Sequence, residues 1–208
     1  MPELIPGVAF ALSPLVRRIL APDASEATGP GSNTYLVGID EVAVIDPATD
    51  DPTHIDAIMG CGGDRIRWVL ASHAHEGHAK GAAAIKKRSG AEVLAFDPGA
   101  GIAADRTIDD GEQLLGTEWR LKVLHTPGHA PDHLCFLLEE ERLLFSGHHL
   151  VEGRDMSAGP GGDPAVWAEQ LRRLEGLRLR VIAPGHGDLV EDPKAAVATA
   201  LGTLDRAS

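Results

Sequence analysis

The sequence holds ten histidines, and most of them stand in one kind of place. His73, His75 and His78 are packed into Ser72-His73-Ala74-His75-Glu76-Gly77-His78. His129 closes His125-Thr126-Pro127-Gly128-His129, His148 ends Ser146-Gly147-His148, and His186 lies in Pro184-Gly185-His186-Gly187. Neutral imidazole is the commonest protein ligand for zinc and similar divalent ions. Residues at i and i+2 of an extended loop reach one ion together, while i+5 after a turn points towards a neighbouring one. Three protein ligands leave a position for water, whose pKa the ion lowers to ~7, so that hydroxide forms at neutral pH. An isolated histidine such as His54 reads instead as a surface or helix-face residue with no role. His125, His133 and His149 read either as supports of the site or as merely structural.

The elements that must position these residues alternate in a regular way. Apolar, β-branched runs at residues 15–20, 34–37, 41–45 and 66–71 predict strands, followed by further strands at 91–95, 119–124, 134–138, 142–145 and 179–183. Helical spacing marks residues 51–59, with Asp50 or Asp51 as N-cap, and residues 79–88, which stop at Ser89-Gly90. Residues 164–177 place Val166, Trp167, Leu171, Leu174 and Leu177 on one face, and a last helix is predicted at 193–204. Four of the apolar strands end in small-residue loops that carry histidine. If those ends share an edge, the imidazoles converge. The pattern predicts an α/β sandwich with sheets inside and helices outside, folded as one unit over residues 1–208.

Composition narrows the partners. With 43% hydrophobic residues in 208, the chain supports a sizeable core. A net charge of −12 opposes a polyanionic partner, because nucleic-acid binding needs a basic surface to release counterions. No run reaches the ~18 apolar residues of a membrane span, and no basic, apolar leader opens the sequence. Cys61 and Cys135 lie far apart and outside any CxxC pattern, which predicts two buried thiols rather than a disulfide. The expectation is a soluble cytoplasmic protein acting on a small molecule, with neither nucleic acid nor membrane as partner.

Taken in order, these motifs resemble the metallo-β-lactamase superfamily. Residues 72–78 align with its His-x-His-x-Asp-His motif. Four segments follow the family's order: Gly31-Ser32-Asn33-Thr34-Tyr35-Leu36-Val37, His125 to His129 as above, Leu144-Phe145-Ser146-Gly147, and Pro184-Gly185-His186-Gly187. Residues 163–177 are similar to a helix of the β-lactamase-like protein 2 branch. The C-terminal extension of that branch, associated with nucleic-acid processing, finds no counterpart in the about 20 residues after His186. The resemblance implies a four-layer αββα sandwich with the site at the sheet edges. It implies a first metal site of His73, His75 and His129 and a second with His78 and His186.

Two departures matter. The family's water-orienting aspartate falls at Gly77, and the aspartate that bridges both ions falls at His148; Glu76 sits one residue early. Two divalent ions are nearly neutralised by two aspartates and a hydroxide, but not by six imidazoles, so their repulsion favours one ion over two. Zinc is the expected ion, with iron or manganese as alternatives. His148 would complete the site as a fourth ligand or act as a base beside it, and His148 or Glu76 would accept the proton during catalysis. The functions that follow are hydrolysis of a small ester, thioester, lactone or lactam by metal-activated water, or a catalytically degenerate metal- or ligand-binding member. Oxidative chemistry with iron is a weaker third. Residues 152–162, rich in glycine, are a candidate wall of the substrate pocket.

Overall fold

The structure is a computed structural model that describes residues 4–74, 79–97, 101–151 and 161–207. Two sheets face each other. The larger has seven strands: β1 (Ala9–Ala11), β2 (Val16–Leu20), β3 (Asn33–Val37), β4 (Val42–Ile45), β5 (Ile66–Leu70), β6 (Glu92–Ala95) and β7 (Arg106–Thr107), paired in that order. It is antiparallel up to β4 and parallel from β4 onwards. The smaller runs in the order β12 (Val181–Pro184), β11 (Leu143–Gly147), β10 (Leu134–Leu138), β9 (Arg120–His125), β8 (Gln113–Leu115).

Each sheet buries both faces, which is why its central strands read as continuous apolar runs rather than alternating ones. Between the sheets Tyr35, Ile45, Leu70, Trp119, Phe136 and Phe145 share one core. On the outside of the larger sheet, α1 (Pro52–Gly62) and α2 (Ala82–Ser89) bury Ile55, Ile58 and Ile85 against Val44, Val69 and Val93. On the outside of the smaller sheet, α3 (Pro164–Glu175) and α4 (Pro193–Ala207) pack Trp167, Leu171, Val197 and Leu204 on Leu124, Leu144 and Ile182. The result is a four-layer αββα sandwich, as expected.

Local signals set most boundaries. Asp51 caps α1 by accepting from the Thr53 and His54 amides, and Gly90 stops α2 in the left-handed conformation. The expected start of α2 at residue 79 moves to Ala82. Strands β1, β7 and β8 were not expected from sequence: each has three residues or fewer, and Arg106–Thr107 is exposed and polar, so only pairing with β6 defines it. Both cysteines are free; Cys135 is buried, and Cys61 is half-buried rather than buried as expected. Among the described residues no helix is long and apolar enough to cross a membrane.

Candidate metal centre

Register explains why the histidine loops meet. β9 and β11 are both antiparallel to β10, and β12 is parallel to β11, so all three end on the same edge. His129, His148 and His186 follow those ends. His73 follows β5 of the other sheet, and the Ser72 carbonyl accepts from the Leu134 amide at 2.7 Å, which ties its loop to the start of β10. The ring centroids of His129 and His148 are 4.2 Å apart and stacked. His73 lies 5.3 Å from His129 and 6.4 Å from His148, and His186 lies 5.5 Å from His148. The structure thus brings His73, His129, His148 and His186 together. His75, Glu76, Gly77 and His78 lie outside the described residues, as do residues 152–160 of the expected pocket loop.

The site is oriented by residues that the sequence reading missed. Asp46 directly follows β4 with φ at 50°, a left-handed backbone that places its carboxylate against the Ser72 end of the His73 loop. That carboxylate accepts from the Ser72 amide at 2.7 Å and the Ser72 hydroxyl at 2.8 Å. A hydroxyl has one proton, and here it goes to Asp46. The Ser72 oxygen, 3.0 Å from His73 Nδ1, must therefore accept from that nitrogen. His73 carries its proton on Nδ1, leaving Nε2 as the nitrogen with the lone pair. Fixing a tautomer through an outer carboxylate is the usual way in which proteins prepare a metal-binding imidazole. The only sequence signal for Asp46 was a lone acid directly after a buried run.

Other contacts set the remaining loops. The Asp132 carboxylate accepts from the Ala74 amide at 2.8 Å, holding the segment that follows His73. His133 Nε2 accepts from the His148 amide at 3.1 Å, so its proton sits on Nδ1 and donates to Thr126 Oγ1 at 3.0 Å. His133 therefore spends its lone pair on the backbone and acts as a support. Asn33 Nδ2 donates to the carbonyls of Pro184 and Gly187, and the Tyr35 hydroxyl donates to that of Pro184 at 2.7 Å, clamping the His186 loop. Burial pushes the Tyr35 hydroxyl well above the usual phenol range, so it stays a donor. Gly128 is required for its space: a Cβ there would meet Trp167 Cβ at 2.3 Å, and its φ is +141°. Trp167 in turn stands 5.5 Å from the His129 ring and donates to the His149 carbonyl at 2.9 Å.

Three histidines stand apart from the cluster's mouth. His125 stacks on Phe96 at 3.9 Å and contacts the Pro131 carbonyl. His149 is fully buried behind the site, where burial drives its pKa down to about 3 and keeps it neutral. Of the two expectations for His54, a surface or a helix-face residue, the second holds: it lies on α1, fully buried against β3, and its Nε2 contacts Thr34 Oγ1 at 2.9 Å.

The donor chemistry fits a borderline divalent ion such as zinc: several imidazoles, one with its tautomer fixed, at a mostly buried sheet edge. Among the described residues no three donors already close on one point, and the set excludes His75 and His78.

Comparisons with known proteins agree with this architecture. Thioesterase pkgB of Emericella nidulans is 33% identical over 198 residues, covering 90% of this chain and 55% of the relative. An atrochrysone carboxyl ACP thioesterase of Aspergillus terreus is 30% identical over 199 residues, covering 94% of this chain and 60% of the relative. The chain thus spans little more than half the length of these relatives. A metallo-beta-lactamase from Pontibacter korlensis superposes with a TM-score of 0.81 at 19% identity, covering 95% of this chain and 98% of the other. A metallo-beta-lactamase family protein from Thermus thermophilus gives 0.80 at 21%, covering 94% and 81%. The family model described as the metallo-beta-lactamase superfamily matches residues 27–186, and the chain belongs to that superfamily.

Proposed function

We propose that the chain hydrolyses thioesters with one divalent cation, zinc first among the candidates, held by His73, His75 and His129. The observation that carries this reading is the convergence of His73, His129, His148 and His186 on one edge, with His73 fixed as the Nδ1–H tautomer through Ser72 and Asp46. A bound cation would polarise the acyl carbonyl and acidify a water molecule. The chain's own part is to place the carbonyl, take a proton and exclude solvent. Water adds to the acyl carbon, its proton passes to His148, the carbon–sulfur bond breaks, and the proton leaves with the sulfur. The sulfur can depart as a thiolate and take the proton afterwards, since its conjugate thiol has a pKa near ~8.5; this needs no strong acid and suits an edge of imidazoles better than an amine leaving group does. The thioesterases among the relatives support the same substrate class.

Gly77 and His148, in place of two aspartates, favour one ion over two, and they also motivate a second reading: a degenerate member that binds a metal or ligand without turnover. One experiment separates the two. Metal-stripped protein reloaded with zinc, manganese or iron is assayed on thioesters, esters, lactones and a lactam. Thioester turnover that disappears in His75→Ala and His129→Ala, with melting behaviour retained, supports the hydrolase. Silence with every metal supports the degenerate reading. Two tightly bound equivalents by elemental analysis would refute the single ion.

A further inference from the structure

The outer face of β3 carries a polar residue that its apolar layer does not need. Side chains alternate along a strand, so Thr34 points the same way as Leu36, which packs with Ile55 and Ile58 beneath α1. Thr34 is fully buried there, and so is His54, which α1 lays against it. Valine would fill the space of Thr34 without burying a hydroxyl, so the partners of that hydroxyl decide what it does. Its Oγ1 lies 2.8 Å from the Asp46 carbonyl, which can only accept, so the one hydroxyl proton goes to Asp46. His54 Nε2, 2.9 Å from the same oxygen, must then donate to it. The Ala48 amide donates to Thr34 Oγ1 as well, at 3.4 Å, and the Asp46 amide donates to the Leu70 carbonyl at 2.9 Å. Both main-chain groups of Asp46 are thus held, on a residue whose φ of 50° is rarely adopted unless the surroundings impose it. That conformation aims the carboxylate at Ser72.

We infer that Thr34, with its hydroxyl directed by His54, is a positioning residue of the metal centre, acting through Asp46 and Ser72 on the tautomer of His73. The contacts run from α1 through the larger sheet to the histidine edge, and each link pairs one donor with one acceptor. Cutting the chain at Thr34 releases the Asp46 carbonyl, lets the backbone leave its left-handed conformation and carries the carboxylate off Ser72. The Ser72 hydroxyl can then turn its proton either way, and His73 loses its fixed tautomer. The consequence for a cation rests on the reading of this edge as a metal site; the tautomer itself does not.

Nitrogen–proton NMR of the metal-free protein, at a pH where the ring is neutral, reads which nitrogen of His73 holds the proton. The unaltered protein should show Nδ1–H. Thr34→Val should shift about half of the rings to Nε2–H and lower zinc affinity in proportion, about twofold. Thr34→Ser, which keeps the hydroxyl, should restore the parent pattern. In Ser72→Ala protein, where the relay is already cut, Thr34→Val should cause no further shift. An unchanged tautomer in folded Thr34→Val, failure of Thr34→Ser to restore it, or a further shift in the Ser72→Ala protein overturns the inference. Should Thr34→Val not fold because it strands the His54 N–H, Thr34→Val/His54→Leu removes both partners together and is read in the same way. Nε2–H in the unaltered protein overturns the whole relay. A tautomer that depends on Thr34 in a protein that binds no zinc supports the inference and overturns only the metal reading.

Discussion

Replacing Asp46 by Asn should turn the His73 imidazole the wrong way round for a metal. The Ser72 amide hydrogen is fixed in space, so the new side chain must turn its oxygen towards that amide, which now lies 2.7 Å from the carboxylate. Its NH2 then faces the Ser72 hydroxyl, now 2.8 Å from the other carboxylate oxygen. The hydroxyl must accept from it and turn its own proton onto His73 Nδ1. That places the ring proton on Nε2, the nitrogen a metal needs bare. Loss of such an outer contact lowers metal affinity about 10-fold to 100-fold, or about 1.4–2.7 kcal/mol. Asn tolerates the left-handed backbone at this position, so no steric penalty clouds the result. Ser72→Ala is the control. It removes the relay without imposing the wrong tautomer, and if half the rings remain competent, affinity drops only about twofold. Zinc affinity by competition with a chromophoric chelator measures both. Equal losses in the two variants, or an Asp46→Asn affinity within twofold of the parent, would refute the tautomer argument.

Two further outcomes follow from packing and burial. Gly128→Ala should destabilise the protein by about 2–4 kcal/mol, since the new Cβ meets the Trp167 Cβ at a disfavoured φ; a thermal melt within a degree of the parent would contradict it. His54, whose pKa burial lowers from 6.5, resists protonation in the fold, while the unfolded chain takes up a proton near the ordinary value. Stability from this residue is therefore fully present well above pH 6.5 and declines as the pH falls through that value. Urea unfolding of metal-free protein above and below that value should show a smaller decline in His54→Gln, and an equal decline would exclude the residue as a source.

What the sequence could disclose was whatever is local. The strand periods, the Asp51 cap, the Gly90 stop and the histidines after apolar strands all act within a few residues of the chain, and all but the α2 start, the ends of α1 and α4 and the shortest strands stand within a residue or two of their expected places. The resemblance of the ordered motifs added the αββα arrangement. The sequence could not show which polar residues serve the site from a distance. Asp46 reaches Ser72 across 26 positions, and Asn33 reaches Pro184 across 151. Only the pairing of β4 with β5, and the meeting of the two sheets at the His186 loop, creates those contacts. For the same reason His54 and His133 could not be sorted from sequence, because burial and a backbone amide from another loop decide what an imidazole does. The residue types set the chemistry on offer at this edge, and tertiary packing set which nitrogen of each ring is left to perform it.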